Sequence, residues 1–235
     1  MNIFDVVIIL CIALVGVIGL KRGIIKEAVV LIGTILVICV AFWLKDSLAA
    51  FLCKHLPFFH LRSGLGVVTS LNIIFYQLIA FLLLVILLLF LLRILIHVSG
   101  FLSKIVNATI ILALPNQLLG LLLGLIEGYI IVFLALNILA VPLGDNALFV
   151  DSGVRQYIMN ESPILKDQFG GINRALEDIM TLEEGGSQNE NDLKVIDIML
   201  KYKVVSVDFM EEVKETGKLD SIVGIDAVIN KYKEE

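Results

Sequence analysis

The sequence predicts an all-α, four-pass transmembrane protein with a short interfacial segment before the fourth helix and a polar helical C-terminal tail. Three observations predict it. The 235 residues are 59% hydrophobic and only 17% charged, against about 45–50% and 25% in ordinary soluble domains. Charge is also divided unevenly along the chain. Residues 1–144 hold eight Lys/Arg and four Asp/Glu, a net of +4, whereas the remaining 91 hold ten and nineteen, a net of −9. Finally, the apolar residues fall into uninterrupted runs long enough to cross a hydrocarbon core about 30 Å thick.

The first run is Ile3–Leu20, broken only by Asp5 near its mouth. A helix rising about 1.5 Å per residue covers about 27 Å there. It differs from a signal peptide in its flanks, because Lys21, Arg22 and Lys26 follow the apolar run and no basic residue precedes it. The second run, Ala28–Leu44, is free of charge and closes on Trp43, an interfacial residue type. The short Lys21–Glu27 connection makes these two spans a tight hairpin. Lys45–Arg62 mixes Phe51, Leu52, Leu56, Phe58 and Phe59 with Lys54, His55 and His60, which predicts an amphipathic interfacial piece ended by Pro57.

Ser63–Leu92 contains no charge, and a third helix over about 66–92 follows, with Arg93 and His97 at its far end. Pro115-Asn116 divides the next apolar stretch. Ser103–Leu114 is read as surface-lying or re-entrant, since Ile105–Leu114, at ten residues, is too short to cross. The fourth span is Leu118–Val141, stopped by Pro142-Leu143-Gly144-Asp145. The transmembrane domain is therefore 1–144, with helices about 3–20, 28–44, 66–92 and 118–141. The basic hairpin Lys21, Arg22, Lys26 favours both termini outside. Lys45, Lys54 and Arg62 in the second loop argue for the reverse.

Residues 145–182 form a membrane-proximal helical segment, with Ser162 before Pro163 as a helix start and Gly170-Gly171 weakening the helix that follows. Glu183–Asp192 is a polar linker by composition. In the tail, 193–235, three short amphipathic helices are legible. Leu193, Ile196 and Leu200 share one face of the first. Ser206 caps the second, where Met210 and Val213 precede Gly217, and Ile222, Ile225, Val228 and Ile229 line the third. So short a stretch buries little core by itself. It either takes a partner or the membrane surface, or stays a solvated tail with nascent helix.

Within the spans, Gly120-x-x-x-Gly124-x-x-x-Gly128 places three glycines on one helical stripe, and Gly16, Gly19 and Gly23 do the same at the end of the first helix. Such stripes let a neighbouring backbone approach closely, within one chain or across a homo-oligomer. Packing within the chain is the favoured reading. Four ionisable residues form the candidate intramembrane polar set: Asp5, Glu27, Arg93 and Glu127. A charge at bilayer depth costs about 2.5–3.5 kcal/mol on insertion scales, so such a group faces a partner or water. For Glu127 the favoured reading is that the helix enters the hydrocarbon near Gly128, leaving the carboxylate among headgroups. The competing reading is a proton- or cation-coupled site with Asn137 and Asn72. Asp5 and Arg93, near helix ends, are read as interfacial.

Enzyme signatures are missing from the sequence: there is no Ser-x-x-Lys, Gly-x-Ser-x-Gly, His-Glu-x-x-His, phosphate-binding loop or dinucleotide fingerprint. Cys11, Cys39 and Cys53 do not make a disulfide framework, and His55, His60 and His97 lack ligand spacing. No catalytic activity, cofactor or metal is expected. The expected partners are the lipid bilayer, a membrane or envelope protein met by the C-terminal tail, and a second copy of the chain. The acidic tail argues against nucleic acid.

Taken in order, Asp5, then Gly19-Leu20-Lys21-Arg22-Gly23 with Lys26-Glu27, then Asn116 leading into the Gly120/Gly124/Gly128 stripe, then Ser152 and Pro163, resemble the colicin V production (CvpA) family of bacterial inner-membrane proteins. The resemblance covers about residues 1–165. Gln117 departs from the basic residue expected after the asparagine. The resemblance implies a four-pass protein linked to bacteriocin (colicin V) production or export and to envelope integrity, with no catalytic activity attached to it.

Overall fold

The computed structural model describes residues 2–59, 62–63, 66–67, 69–98, 113–143, 146–162, 165–182 and 186–233. Its elements in chain order are α1 (Ile3–Arg22), α2 (Ile24–His55), β1 (Arg62–Ser63), β2 (Gly66–Val67), α3 (Leu71–Val98), α4 (Ala113–Leu143), α5 (Ala147–Val150), α6 (Gly153–Glu161), α7 (Leu165–Met180), α8 (Gln188–Lys201), α9 (Val207–Glu215) and α10 (Ile225–Lys231). The two strands form a two-residue antiparallel pair. Everything else with regular structure among the described residues is helical.

Helices α1 to α4 are long and apolar enough to span a bilayer. Hydrocarbon offers the backbone no hydrogen-bond partner, so a spanning segment must satisfy its N–H and C=O groups internally, as a helix does. The outward faces suit lipid: Leu14 of α1, Ile32 and Leu36 of α2, Ile86 and Phe90 of α3 and Leu118 and Leu122 of α4 are all exposed. A continuous apolar surface of this extent is incompatible with water.

Three boundaries differ from the sequence expectation. Helix α2 does not stop at Leu44 but continues to His55, so the stretch expected to lie at the interface is the end of a 32-residue rod about 48 Å long. Lys45, which looked like the edge of the span, is buried; its Nζ donates to Asp46, to Gln77 Oε1 at 2.9 Å and to the carbonyl of Val204. Helix α3 begins at Leu71 rather than 66. Helix α4 begins at Ala113, because Pro115 stands in its first turn, where no intrahelical N–H is required. Most of the segment expected to be surface-lying or re-entrant, 103–112, lies outside the described residues.

The chain divides into two compact units, the boundaries falling inside α2, α3 and the start of α7: residues 1–40 with 85–166, and residues 41–84 with 167–235. In the first, α1 and α4 pack along their length, and α5 and α6 fold against the start of α1. Asn2 caps α1 through a reciprocal box with Asp5. Phe149 is buried and meets Phe4 edge-on at 5.3 Å. Ser162 ends α6, its hydroxyl bonding Ile158 O and the Tyr129 hydroxyl, and Pro163, expected with it to start the next helix, lies outside the described residues.

In the second unit, the last turns of α2 supply Ala49, Ala50 and Cys53 to a core that includes Ile73, Tyr76 and Ala80 of α3. Ile179 of α7, Ile196 and Met199 of α8, Met210 and Val213 of α9, Leu219, and Ile229 of α10 complete it. The helical tail thus has its apolar faces buried against the chain's own α2 and α3. Ser187 caps α8 with a reciprocal Glu190 box, so this helix starts inside the stretch expected to be a linker. Ser206 caps α9, as its position before Val207 predicts, by accepting from Phe209 N.

Candidate functional site

The first unit is organised by contact between glycines. A side chain at Gly120 would collide with the Gly19 carbonyl and come within 2.8 Å of Gly23 Cα. One at Gly124 would stand 2.8 Å from Val15 O, and one at Gly128 3.1 Å from Ile12 O. On the other side, Gly16 faces Leu125 and Leu121, and Gly19 faces Gly120 and Gly124. All six glycines singled out by spacing therefore lie on one seam between α1 and α4. Where backbones meet this closely, dispersion replaces the side-chain burial that drives packing in water.

The top of the seam is a tight corner. Gly23 alone separates α1 from α2, with φ +76°, a conformation that favours glycine. Its N–H returns to Gly19 O. Asn116, from the first turn of α4, accepts from Ile24 N–H at 2.9 Å and so satisfies one of the unpaired donors at the start of α2.

Beside this corner lies a polar cluster within apolar helices. Glu27 is fully buried and Glu127 is 5% exposed. Arg22 donates to Glu27 Oε2 at 3.2 Å, and Thr34 donates to Glu127 Oε1 at 3.0 Å. The two carboxyl groups are neighbours in this cluster. Glu27 Oε1 and Glu127 Oε2 receive no donor. Gly19 leaves the room: a Cβ there would stand 3.0 Å from Glu27 Oε1.

Glu127 is buried by protein rather than open to its surroundings. It sits about 21 Å along α4 from Ala113 and is covered by protein. Its companions are Glu27, Thr34 and Arg22, not the asparagines suggested by sequence. Asn137 is about 15 Å further along α4 and bonds Phe133 O, while Asn72 bonds Phe59 and Thr69 in the second unit. Thr34 gave one signal that was available: seven residues after Glu27, it shares that helix face.

The other two polar candidates lie elsewhere. Arg93 is exposed on α3. Asp5 is buried at the opposite end of α1, where its carboxylate accepts from Asn2 N, from Ser152 Oγ at 2.6 Å and from Val154 N at 3.0 Å. It is a clamp between α1 and α6: Ser152 also caps α6 by accepting from Arg155 N.

A family profile described as "Colicin V production protein" matches residues 4–163. The chain belongs to that family. The match covers the four spans, the glycine seam, both buried glutamates and the Asp5–Ser152 clamp. A protein of Bacillus subtilis (strain 168), named "Uncharacterized transmembrane protein YshB", is 29% identical over 167 residues, covering 68% of this chain and 92% of the relative. No solved structure matches. With four apolar helices, these findings make it a multi-pass protein of the bacterial cell (inner) membrane. The family is not a known enzyme family.

Proposed function

We propose that the chain is a non-enzymatic membrane protein that supports bacteriocin (colicin V) production or export and envelope homeostasis through protein–protein contacts. The observation that carries this reading is the helical layer α7 to α10. Its apolar faces are buried against α2 and α3. Its outward faces carry charged pairs such as Lys201–Asp178 and Lys231–Asp197. A polar, folded surface built on membrane helices suits docking of an envelope protein. Val223, 76% exposed between α9 and α10, is an apolar point on that surface.

The test is a photo-crosslinking residue at Val223 of the full-length protein in native membranes, with toxin release measured in a strain lacking the gene. Recovery of a defined envelope protein together with reduced release supports the reading. Unchanged release with crosslinks to lipid alone refutes it.

A second reading, a small-solute or ion-coupled transporter or channel using Glu127, is favoured by the burial of that carboxyl group against Glu27. Glu127→Gln and Gly124→Leu separate the two. Loss of function in Gly124→Leu alone supports the adaptor, and loss in Glu127→Gln with intact packing supports transport.

A further inference from the structure

Four groups with charge or hydrogen-bonding chemistry meet at the corner of the first unit: Arg22 from the end of α1, Glu27 and Thr34 from α2, and Glu127 from α4. Near this face α3 supplies the apolar Leu92, against Gly33. Arg22 pairs with one oxygen of Glu27, and its side chain is 37% exposed. Among the described residues no cation pairs with Glu127. Two ionised carboxylates here would leave one negative charge unmatched inside the bundle, and would set oxygen against oxygen with no donor between them.

The hydrogen-bond inventory says what fits. Each glutamate has one oxygen engaged, Glu27 by Arg22 and Glu127 by Thr34, and one oxygen without a donor. Both residues are more than nine-tenths buried. Supplying one hydrogen between the two free oxygens satisfies both and removes the unmatched charge. A metal cation would need several oxygen ligands around it, whereas a proton needs only the two present.

We propose that Glu27 and Glu127 form an intramembrane proton-binding site, a single proton being held between Glu27 Oε1 and Glu127 Oε2. The site stands apart from the choice between adaptor and transporter, since occupancy concerns packing of α2 beside the glycine seam in either case. Removing the proton restores repulsion where α1, α2 and α4 all contribute to a polar contact.

The test is infrared titration of the full-length protein in lipid nanodiscs, following the C=O band of protonated carboxyl groups. The expected result is such a band at neutral pH, insensitive to sodium or potassium. It is absent from Glu127→Gln, where Arg22 still pairs with Glu27, and shifted in frequency in Glu27→Gln, where no cation pairs with Glu127 among the described residues. Thr34→Val keeps both carboxyls but removes the donor to Glu127, so it should shift the band in frequency; this variant decides if either glutamine variant fails to fold. No band in the parent protein at neutral pH, a band that survives in Glu127→Gln, or no shift in Thr34→Val overturns the proposal. A missing band accompanied by sodium-dependent thermal stabilisation overturns it in favour of a metal cation.

Discussion

Adding a single methyl group to the seam tests the packing argument most directly. In Gly124→Ala the new Cβ stands 2.8 Å from Val15 O and 3.1 Å from the Cα atoms of Gly16 and Gly19. All three neighbours are backbone, and ordinary contact begins at 3.4 Å. Helices α1 and α4 must therefore part by about 0.6 Å, which forfeits dispersion along the whole seam. Overpacking of this kind costs about 1–3 kcal/mol, or about a 5- to 150-fold shift in the unfolding equilibrium. Two controls come from the same chain. Gly33→Ala meets only the end of the Leu92 side chain at 2.7 Å, which can rotate away. Gly153→Ala meets nothing within 4 Å. It should be neutral or stabilising, since alanine costs less backbone entropy in a helix. The assay is reversible unfolding in bicelles by steric trapping. The order of destabilisation should be Gly124→Ala, then Gly33→Ala, then Gly153→Ala. If Gly124→Ala unfolds as the Gly153 control does, the seam is not held by backbone contact and the reasoning fails.

Other consequences are open to measurement. Ser152→Ala removes both the cap of α6 and a donor to Asp5; loss of the cap alone costs about 0.5–2 kcal/mol, and hydrogen exchange should quicken across 153–161 while α8 is unchanged. Lys45→Ala strips Gln77 Oε1 and Val204 O of a shared donor, so about 1–3 kcal/mol should be lost, read as faster proteolysis of the segment after Leu200. Asp192, buried and accepting from Ser70 N at 2.6 Å, has its carboxyl pushed above the ordinary 3.8, chiefly by burial. Its contribution to stability is fully present below 3.8 and is lost as pH rises through the raised value. Denaturant titration across that window should show the slope, and Asp192→Asn should flatten it.

Much of this was legible in the residues because bilayer thickness is an unforgiving constraint. Charge-free runs locate α1 to α4, and glycine spacing locates the seam, since both signals are local. What the sequence obscured was pairing at a distance. Lys45-Asp46 ends an apolar run, so it marked a span boundary, yet Gln77 and Val204 accept from Lys45 and let the helix continue. Pro115 reads as a break but falls in the first turn of α4. Glu127 has no legible partner in the sequence, because Thr34, which donates to it, stands some ninety residues away. The tail helices were visible by periodicity, whereas the surface that covers them combines Ala49 and Cys53, read as part of an interfacial piece, with Tyr76 of a helix assigned to lipid.

The one-residue turn at Gly23 also bears on how the protein is made. A single residue cannot cross a bilayer, so the end of α1 and the start of α2 must lie on the same side of it. The pair must partition together, and Lys21, Arg22 and Lys26 are delivered to a single leaflet as they do so. The side taken by that corner then sets the side of both helices, and the later spans alternate from it.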